Sequence, residues 1–373
     1  MYKYSNKIRI IFFLPNFILG GAAESIVKLA EFLSKKGYSI LIISIGKNLY
    51  KKKLKLFGCE LIELNSTRTI FSIFKIRNII LKETLKNYSK TIFISNIHYS
   101  NIISILSCIK LKNIKLILTE RSSLSELLIY SNLFKFIINS LIYFLAKILY
   151  SYSYLLITNS DFEKKYIIKY FKLRNVISIH PPSLKKVNKQ NKYKLRNKKK
   201  KIKIIFFGRL SKEKGLDIIV KALAEIKNFK NYVFKIYGDG ESKNEILKLI
   251  DKLQLKHKIV SYGFEKSKSK IFKNADLFIN ASHFEGLPNA IVQALNFNVF
   301  VICSNSPGGN MEVIKNGKFG LYFKNKNHKD LAKKIKKFLY FKKKINHKQK
   351  IKHLEKYTEK FCFNNYNKLI RKI

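Results

Sequence analysis

Short apolar runs alternate along this chain with stretches whose apolar positions recur every three to four residues, and each change of rhythm falls at Gly, Pro or a polar cluster. Ile8–Leu14 reads as a strand, followed by a loop with Gly20-Gly21. A helical stretch from Ala22 to Lys35 carries Ile26, Leu29, Ala30 and Leu33 on one face; Gly37 ends it, and Tyr38–Ile45 reads as the next strand. This βαβ opening predicts an α/β fold with a parallel sheet covered by helices. Further strands are Lys90–Ser95, ending at Asn96-Ile97-His98, and Ile114–Leu118, ending at Thr119-Glu120-Arg121-Ser122-Ser123. Leu155–Ile157 ends at Thr158-Asn159-Ser160, with a helix starting near Asp161.

The rhythm breaks after Pro181-Pro182, where Ser183 to Lys203 is dense in Lys, Asn and Gln and reads as a solvated linker. It restarts with strand Ile202–Phe207, a helix from Leu216 to Ile226, strand Tyr232–Tyr237, a helix from about Ser242 and strand Ile259–Tyr262. The buried run Ala275–Ala281 leads into a helix whose first turn holds Pro288, the position where proline fits best. Strands Val299–Ser304 and Phe319–Phe323 and a basic helical region complete the chain. The expected division is 1–183 as a first domain, 184–201 as a basic linker, 202–356 as a second domain and 357–373 as a terminal helix. A length of 373 residues with 47% hydrophobic composition suits two such cores.

Composition changes the picture in three places. The balance of 75 Lys+Arg against 23 Asp+Glu gives a net charge of +52, which attracts phosphates, anionic headgroups and nucleic acid. Abundant Lys, Ile, Asn, Phe and Tyr with no Trp also match an AT-rich coding sequence, so both origins of the charge stay open. A nucleic-acid-binding protein is the alternative this charge suggests, yet in the basic run the aromatics needed for base stacking reduce to Tyr193, and no specific nucleic-acid partner is expected. Cys59, Cys108, Cys303 and Cys362 are scattered without ligand spacing and read as reduced, mostly buried thiols of a cytosolic protein. Leu127–Ile157 is the most membrane-like stretch, but Lys135 and Lys147 interrupt it well short of the ~20 residues needed to span. A packed helical pair is the primary reading, with an interfacial helix as the second.

Candidate chemistry lies beyond the carboxyl ends of strands, where open α/β sheets bind ligands. A strand tip, Glu285, a turn at Gly286-Leu287 and a helix N-terminus at Pro288 form an anion site, because the unpaired amides of the first turn and the helix dipole favour negative charge. Gln293 lies ~7–8 Å further along the helix, roughly the reach from a diphosphate to a ribose. The loop Gly208-Arg209-Leu210-Ser211-Lys212-Glu213-Lys214-Gly215 suits a diphosphate, Arg209 as a bidentate fork and Lys214 as a mobile charge. Gly20-Gly21 either allows close approach by a ligand or is a simple tight turn. His98 is either a catalytic or acceptor contact or a structural histidine, and Glu120-Arg121 is either site chemistry or a local ion pair. No Asp-x-Asp occurs to bring a divalent ion to a diphosphate, so no metal site and no cofactor are expected.

In order, Gly-Arg-Leu-x-x-x-Lys-Gly at 208–215, Tyr-Gly-Asp-Gly at 237–240, Glu-Gly-Leu-Pro-Asn at 285–289 and Gly-Gly-x-x-Glu-Val-Ile from 308 resemble the second domain of glycosyltransferases of family 4 type, with GT-B fold. Pro15 with Gly20-Gly21-Ala22-Ala23-Glu24, and Thr119-Glu120-Arg121-Ser122, resemble the first domain of the bacterial polysaccharide and glycan-assembly branch. The resemblance implies two Rossmann-like, doubly wound domains facing a central cleft, with a C-terminal helix crossing back to the first. It implies a retaining, metal-independent transferase of the hexosyl type, using a nucleotide-diphosphate sugar, UDP-sugar favoured, and a saccharide acceptor carried on a lipid. Arg209 and Lys214 would then neutralise the diphosphate, Glu285 with the amides of Gly286 and Leu287 would hold sugar and phosphate, Gly208 and Gly238 would border the donor, and Gly20-Gly21 would face its phosphates. Gln293 departs from the family's usual Glu at the ribose position; its amide can still accept one hydrogen bond. Placement is expected to be cytoplasmic, peripheral on the inner face of an anionic membrane. A membrane-docked scaffold with a weakened donor site is the remaining alternative.

Overall fold

The computed structural model describes residues 5–18, 20–66, 69–129, 132–189, 201–226, 231–339 and 345–373. They form two compact units, the first built from the chain up to Pro182 together with Cys362–Ile373 and the second from Ser183–Phe361.

The first unit is a seven-stranded, all-parallel sheet of β1 (Ser5–Phe13), β2 (Ser39–Ser44), β3 (Glu60–Glu63), β4 (Tyr88–Asn96), β5 (Lys115–Glu120), β6 (Leu155–Thr158) and β7 (Val176–Ser178), ordered β3-β2-β1-β4-β5-β6-β7. Alternate side chains of β1 enter opposite faces: Ile10 and Phe12 join the cluster under helix Gly21–Ser34, and Ile11 and Phe13 join the one under helices Ile73–Thr84 and His98–Cys108. Cys362, Phe363, Tyr366 and Ile370 of helix Glu359–Lys372 complete the first of these clusters, where Tyr38 donates to Asn367 Oδ1 at 2.9 Å.

At the amino-terminal edge of this sheet Arg9 is wholly buried. Its guanidinium holds both carboxylate oxygens of Glu60 at 2.6 and 2.8 Å and reaches Glu83 at 2.7 Å.

The second unit repeats the plan with β8 (Ile202–Phe207), β9 (Tyr232–Tyr237), β10 (Ile259–Gly263), β11 (Leu277–Asn280), β12 (Phe300–Ser304) and β13 (Leu321–Phe323), all parallel and ordered β10-β9-β8-β11-β12-β13. In both sheets the second and third strands are added on one side of the first, and the fourth and later strands on its other side, all in the same direction. The doubly wound pattern reverses between β1 and β4, and between β8 and β11, and a crevice for ligands opens beyond the carboxyl ends at such a reversal.

Several expected boundaries differ. Residues 184–189 of the expected linker pack on the second unit: Leu184 bridges Thr358, and the Asn188 amide donates to Asn296 Oδ1 at 2.8 Å, so a Lys-rich composition there did not mean a free tether. Residues 190–200 of that linker lie outside the described residues. Leu127–Ile157 is not a packed pair: it holds one long helix, Leu133–Leu149, flanked by single turns and running into β6, and only 17% of its most apolar window is buried. The basic C-terminal region divides into helices His328–Leu339, His347–Glu355 and Glu359–Lys372. All four cysteines are buried thiols.

Candidate functional site

In the second unit the loops leaving β8 and β11, the two strands at the reversal, meet. Gly215 ends the β8 loop with φ of 61°, and a Cβ there would stand 2.3 Å from the Ala281 carbonyl oxygen, so a bare backbone is what lets the loops touch. The His283 amide then donates to the Glu213 carbonyl at 2.8 Å. Across this junction Lys214 Nζ meets Glu285 Oε1 at 2.7 Å, and Ser282 Oγ donates to the same oxygen at 2.8 Å. The Lys214 and Glu285 side chains keep 24% and 14% of their exposure, so the pair is shielded but open on one side. A side-chain ammonium so placed attracts an anion more strongly than one in bulk water.

Behind Glu285 stands the loop after β12. Glu285 and Gly308 form an isolated parallel bridge, the Glu285 amide donates to the Pro307 carbonyl at 3.1 Å, and the Gly309 amide donates to the Gly286 carbonyl at 3.1 Å. Gly308 has φ of 115°, and any Cβ would lie 1.6 Å from the Glu285 carbonyl oxygen. Buried Asn310 ties this loop down by donating to the Ser304 carbonyl and Ser306 Oγ, both at 3.1 Å. The amides of Gly286 and Leu287 donate to no partner among the described residues. They lie just ahead of helix Asn289–Asn296, whose N-cap is Pro288 rather than the first-turn position the sequence suggested. Two amides and a helix N-terminus, which favour an anion, thus directly follow Glu285, the residue that holds the Lys214 ammonium.

The remaining predicted residues fall as follows. Arg209 is on the same loop but 68% exposed, its Nη2 on Glu213 Oε1 at 2.9 Å. Glu213 is pushed up by burial and pulled further down by the Ser211 hydroxyl, its own amide, Arg209 and Lys214, so it ends below the ordinary carboxylate range. Gly208 and Gly238 are where the ends of β8 and β9 touch: the Gly208 amide donates to Tyr237 at 3.0 Å, and a Cβ on Gly238 would lie 1.8 Å from the Gly208 carbonyl oxygen. Gln293 turns its Nε2 to the Ser183 carbonyl at 3.4 Å, leaving Oε1 buried and unpartnered. Glu312 pairs with Lys356 at 3.1 Å. Ser211, Glu213 and Ser282, which orient Arg209 and Glu285, were not singled out from sequence; the Ser-x-Glu spacing at 211–213 was their only local signal.

In the first unit the carboxyl ends of β4 and β5 carry a separate polar cluster. Ile97, a β-branched residue with φ of 76°, an uncommon conformation, makes the sharp turn from β4 into helix His98–Cys108. His98 Nδ1 lies 3.7 Å from Glu120 Oε2, and Glu120 Oε1 accepts from Asn101 at 2.8 Å and from the Tyr150 hydroxyl. Burial pushes the His98 imidazole down, but Glu120 more than offsets it, with help from Glu126, so the ring keeps its proton above the usual range. Glu120 does not pair with Arg121, which instead reaches Asn96 Oδ1 at 2.8 Å. Gly20 precedes helix Gly21–Ser34, and a Cβ on it would meet nothing within 4 Å, so the space beside this backbone is open.

Glu163 is a residue the sequence did not mark. Its carboxylate accepts from Ser123 Oγ at 2.6 Å and from the Leu124 amide at 2.8 Å, and burial pushes it up to about 7. A carboxyl group raised on folding loses stability as pH climbs, because the unfolded form ionises first. Stability is therefore expected to fall between about pH 4.5 and 7, by a penalty on the order of 3 kcal/mol. In Glu163→Gln this slope should vanish in urea titrations taken across that range; an unchanged slope would count against the assignment.

Comparison with known proteins agrees with this architecture. The sequence model of glycosyl transferases group 1 matches residues 187–360. An uncharacterized glycosyltransferase of Methanocaldococcus jannaschii is 30% identical over 178 residues, 45% of this chain and 44% of that one. A Campylobacter jejuni alpha-1,4-N-acetyl-D-galactosaminyltransferase, named for an undecaprenol-diphosphate-linked saccharide, is 27% identical over 335 residues, 88% of each chain. The solved structure of Anabaena HepE in complex with UDP superposes with a TM-score of 0.77 at 16% identity, covering 98% of this chain and 100% of that one. The two doubly wound sheets and the solved structure show a GT-B fold, and residues 187–360, with their ordered loop motifs, match the group 1 glycosyltransferases.

Proposed function

We propose that this chain moves a sugar, with retention of anomeric configuration, from a UDP-sugar to a saccharide carried on a lipid diphosphate at the cytoplasmic face of a membrane. The observation that carries the reading is the Lys214–Glu285 pair beside the free amides of Gly286 and Leu287, at the reversal point of the second sheet. A UDP complex of HepE and the lipid-linked acceptor in the name of the Campylobacter relative support the choice of donor and acceptor.

In this reading Lys214 and the two amides stabilise charge that grows on the leaving diphosphate as the bond from the anomeric carbon breaks. Arg209 supplies a second cation at the rim, so positive charge is delivered by side chains rather than by a metal. Glu285 aims Lys214 and accepts hydrogen bonds from sugar hydroxyls. The acceptor oxygen attacks from the face the diphosphate leaves, and a leaving-phosphate oxygen takes the acceptor proton. His98, beside Glu120 in the first unit, is assigned to contact a hydroxyl of the saccharide acceptor.

Donor binding is tested by thermal unfolding with a panel of nucleotide sugars. A UDP-sugar at a hundredfold excess over its dissociation constant should stabilise the protein by about 2.7 kcal/mol, and the R209A/K214A variant should lose that gain. Equal melting with every nucleotide sugar would overturn the proposal.

A further inference from the structure

Helix Leu133–Leu149 presents a face that none of the described residues of its own unit covers. Leu133, Phe134, Ile137, Leu141, Phe144 and Ile148 fall within about one third of the helix circumference, and each is between 48% and 76% exposed. Only Ile142 and Ala146 of this helix are fully buried, on the opposite side. A single exposed leucine means little, whereas a contiguous stripe of six large apolar residues on one helix does. With the turn that follows it, the stretch Leu133–Tyr152 is long and apolar enough by composition to cross a membrane, 20 residues with mean hydropathy 1.6. Its buried side, however, contributes Ile142, Ala146 and neighbouring Tyr150 to the core of the first unit, and Tyr150 holds Glu120. Insertion across a bilayer would tear that core out, so the helix is built to lie flat.

What covers the stripe is indicated by the helix beside it. Helix Asp161–Phe171 docks through a hydrogen bond of 3.0 Å between the Tyr143 and Tyr166 hydroxyls and an edge contact of Phe171 on Tyr143. Its outer side carries exposed Phe162 and Ile168 interleaved with exposed Lys165 and Lys169, and exposed Lys172 follows. Lys147 flanks the apolar stripe itself. A broad apolar face rimmed by lysines, on a chain of net charge +52, is complementary to an anionic bilayer: the stripe enters the acyl boundary while the ammonium groups stay among the headgroups. A partner protein with an apolar groove would match the stripe and would leave the lysine rim without counterpart.

We infer that helices Leu133–Leu149 and Asp161–Phe171 together form the surface by which this protein lies on an anionic lipid bilayer. The inference does not depend on the donor-site reading, since neither helix carries a residue assigned to the donor; it adds the surface that would bring the first unit to a lipid-held acceptor.

The chain has no Trp, so one introduced residue reports depth. Phe144→Trp is expected to shift its emission to the blue and to be quenched by brominated acyl chains when vesicles of phosphatidylcholine with 30% phosphatidylglycerol are added to the full chain. Phe264→Trp, at an exposed site in the second unit, should do neither. In co-sedimentation with the same vesicles, F134E/F144E and K165E/K169E should each lower partitioning by about tenfold or more, the lysine variant losing most of the salt-sensitive part. Both variants should keep the wild-type nucleotide-sugar melting shift, which separates a failure here from a failure of the donor site. An unshifted F144W emission, or F134E/F144E partitioning equal to wild type, would overturn the inference. So would concentration-dependent dimers that F134E/F144E abolishes while vesicles bind neither protein, since the stripe would then be a self-association face.

Discussion

Replacing Lys214 with Ala is expected to slow sugar transfer at saturating donor by at least ~100-fold, a loss of about 3 kcal/mol of transition-state stabilisation. The size follows from where the charge sits. Lys214 is three-quarters buried and held at 2.7 Å from Glu285, which directly precedes the two free amides. Arg209 is 68% exposed and already engaged by Glu213, so Arg209→Ala should cost only about tenfold, mostly in donor KM, because a solvated cation is screened. Lys214→Ala also leaves Glu285 without its cation, and Lys214→Gln separates the two effects: it can still donate to Glu285 but carries no charge, and should be as slow as the alanine variant while melting closer to wild type. Initial rates and melting curves on the three variants decide the matter. A Lys214→Gln enzyme retaining more than a tenth of wild-type turnover would remove Lys214 from the chemistry.

The parts of this site that were legible in the sequence are those where a local rule forces a residue type. Gly215 and Gly308 stand in the loop motifs as the turn-permitting residue, while the collision of a Cβ there with the backbone of Ala281 or Glu285 is visible only in the fold. Lys214 and Glu285 were read from their loops, but that they pair required the two loops to meet, and this depends on β8 and β11 being neighbours. The α/β alternation predicted parallel sheets; it could not give strand order, which is set by how each crossover packs. Partners distant in sequence were equally hidden. Gln293 was expected to reach a ligand, and its amide is held by the backbone of Ser183, 110 positions away. Glu163 looked like an ordinary first-turn acid of helix Asp161–Phe171, and only the arrival of Ser123 and Leu124 makes it a buried carboxyl. The stretch around Leu133–Leu149 misled for a related reason. Apolar residues on nearly every side suggest burial all round, and which side stays uncovered is decided by the number of neighbouring helices rather than by periodicity.

Arg9→Ala is expected to destabilise the protein by ~3–5 kcal/mol, more than any other single surface-neutral change discussed above. Arg9 stands at the end of the sheet opposite the polar cluster of β4 and β5, where the first residues of β2 and β3 converge on it: Ser39 accepts at 2.7 Å and Glu60 grips both amino groups. Tyr88, which opens β4, lies with its ring 5.3 Å from the guanidinium carbon. One planar fork therefore ties four strands and, through Glu83, the helix Ile73–Thr84. Truncation would strand Glu83, whose side chain is 7% exposed and would keep, among the described residues, the partly exposed Lys86 at 2.6 Å. Arg9→Lys should recover little, because one ammonium cannot span Glu60, Glu83 and Ser39 at once. Arg9→Met with Glu83→Leu should melt closer to wild type than Arg9→Ala, since apolar replacement of both members avoids leaving a buried charge unpaired. Glu60 gives the pH signature: its hydrogen bond to Arg9 holds it below the ordinary range despite burial, so its contribution is present above the unfolded carboxylate pKa and is lost as pH falls through the lowered value. Acid titration of stability should accordingly be shallower in the Arg9→Met/Glu83→Leu protein. If Arg9→Ala melts within about 2 °C of wild type, the buried fork is not what holds the amino-terminal edge of the sheet together, and strand packing through Ile10 to Phe13 must suffice.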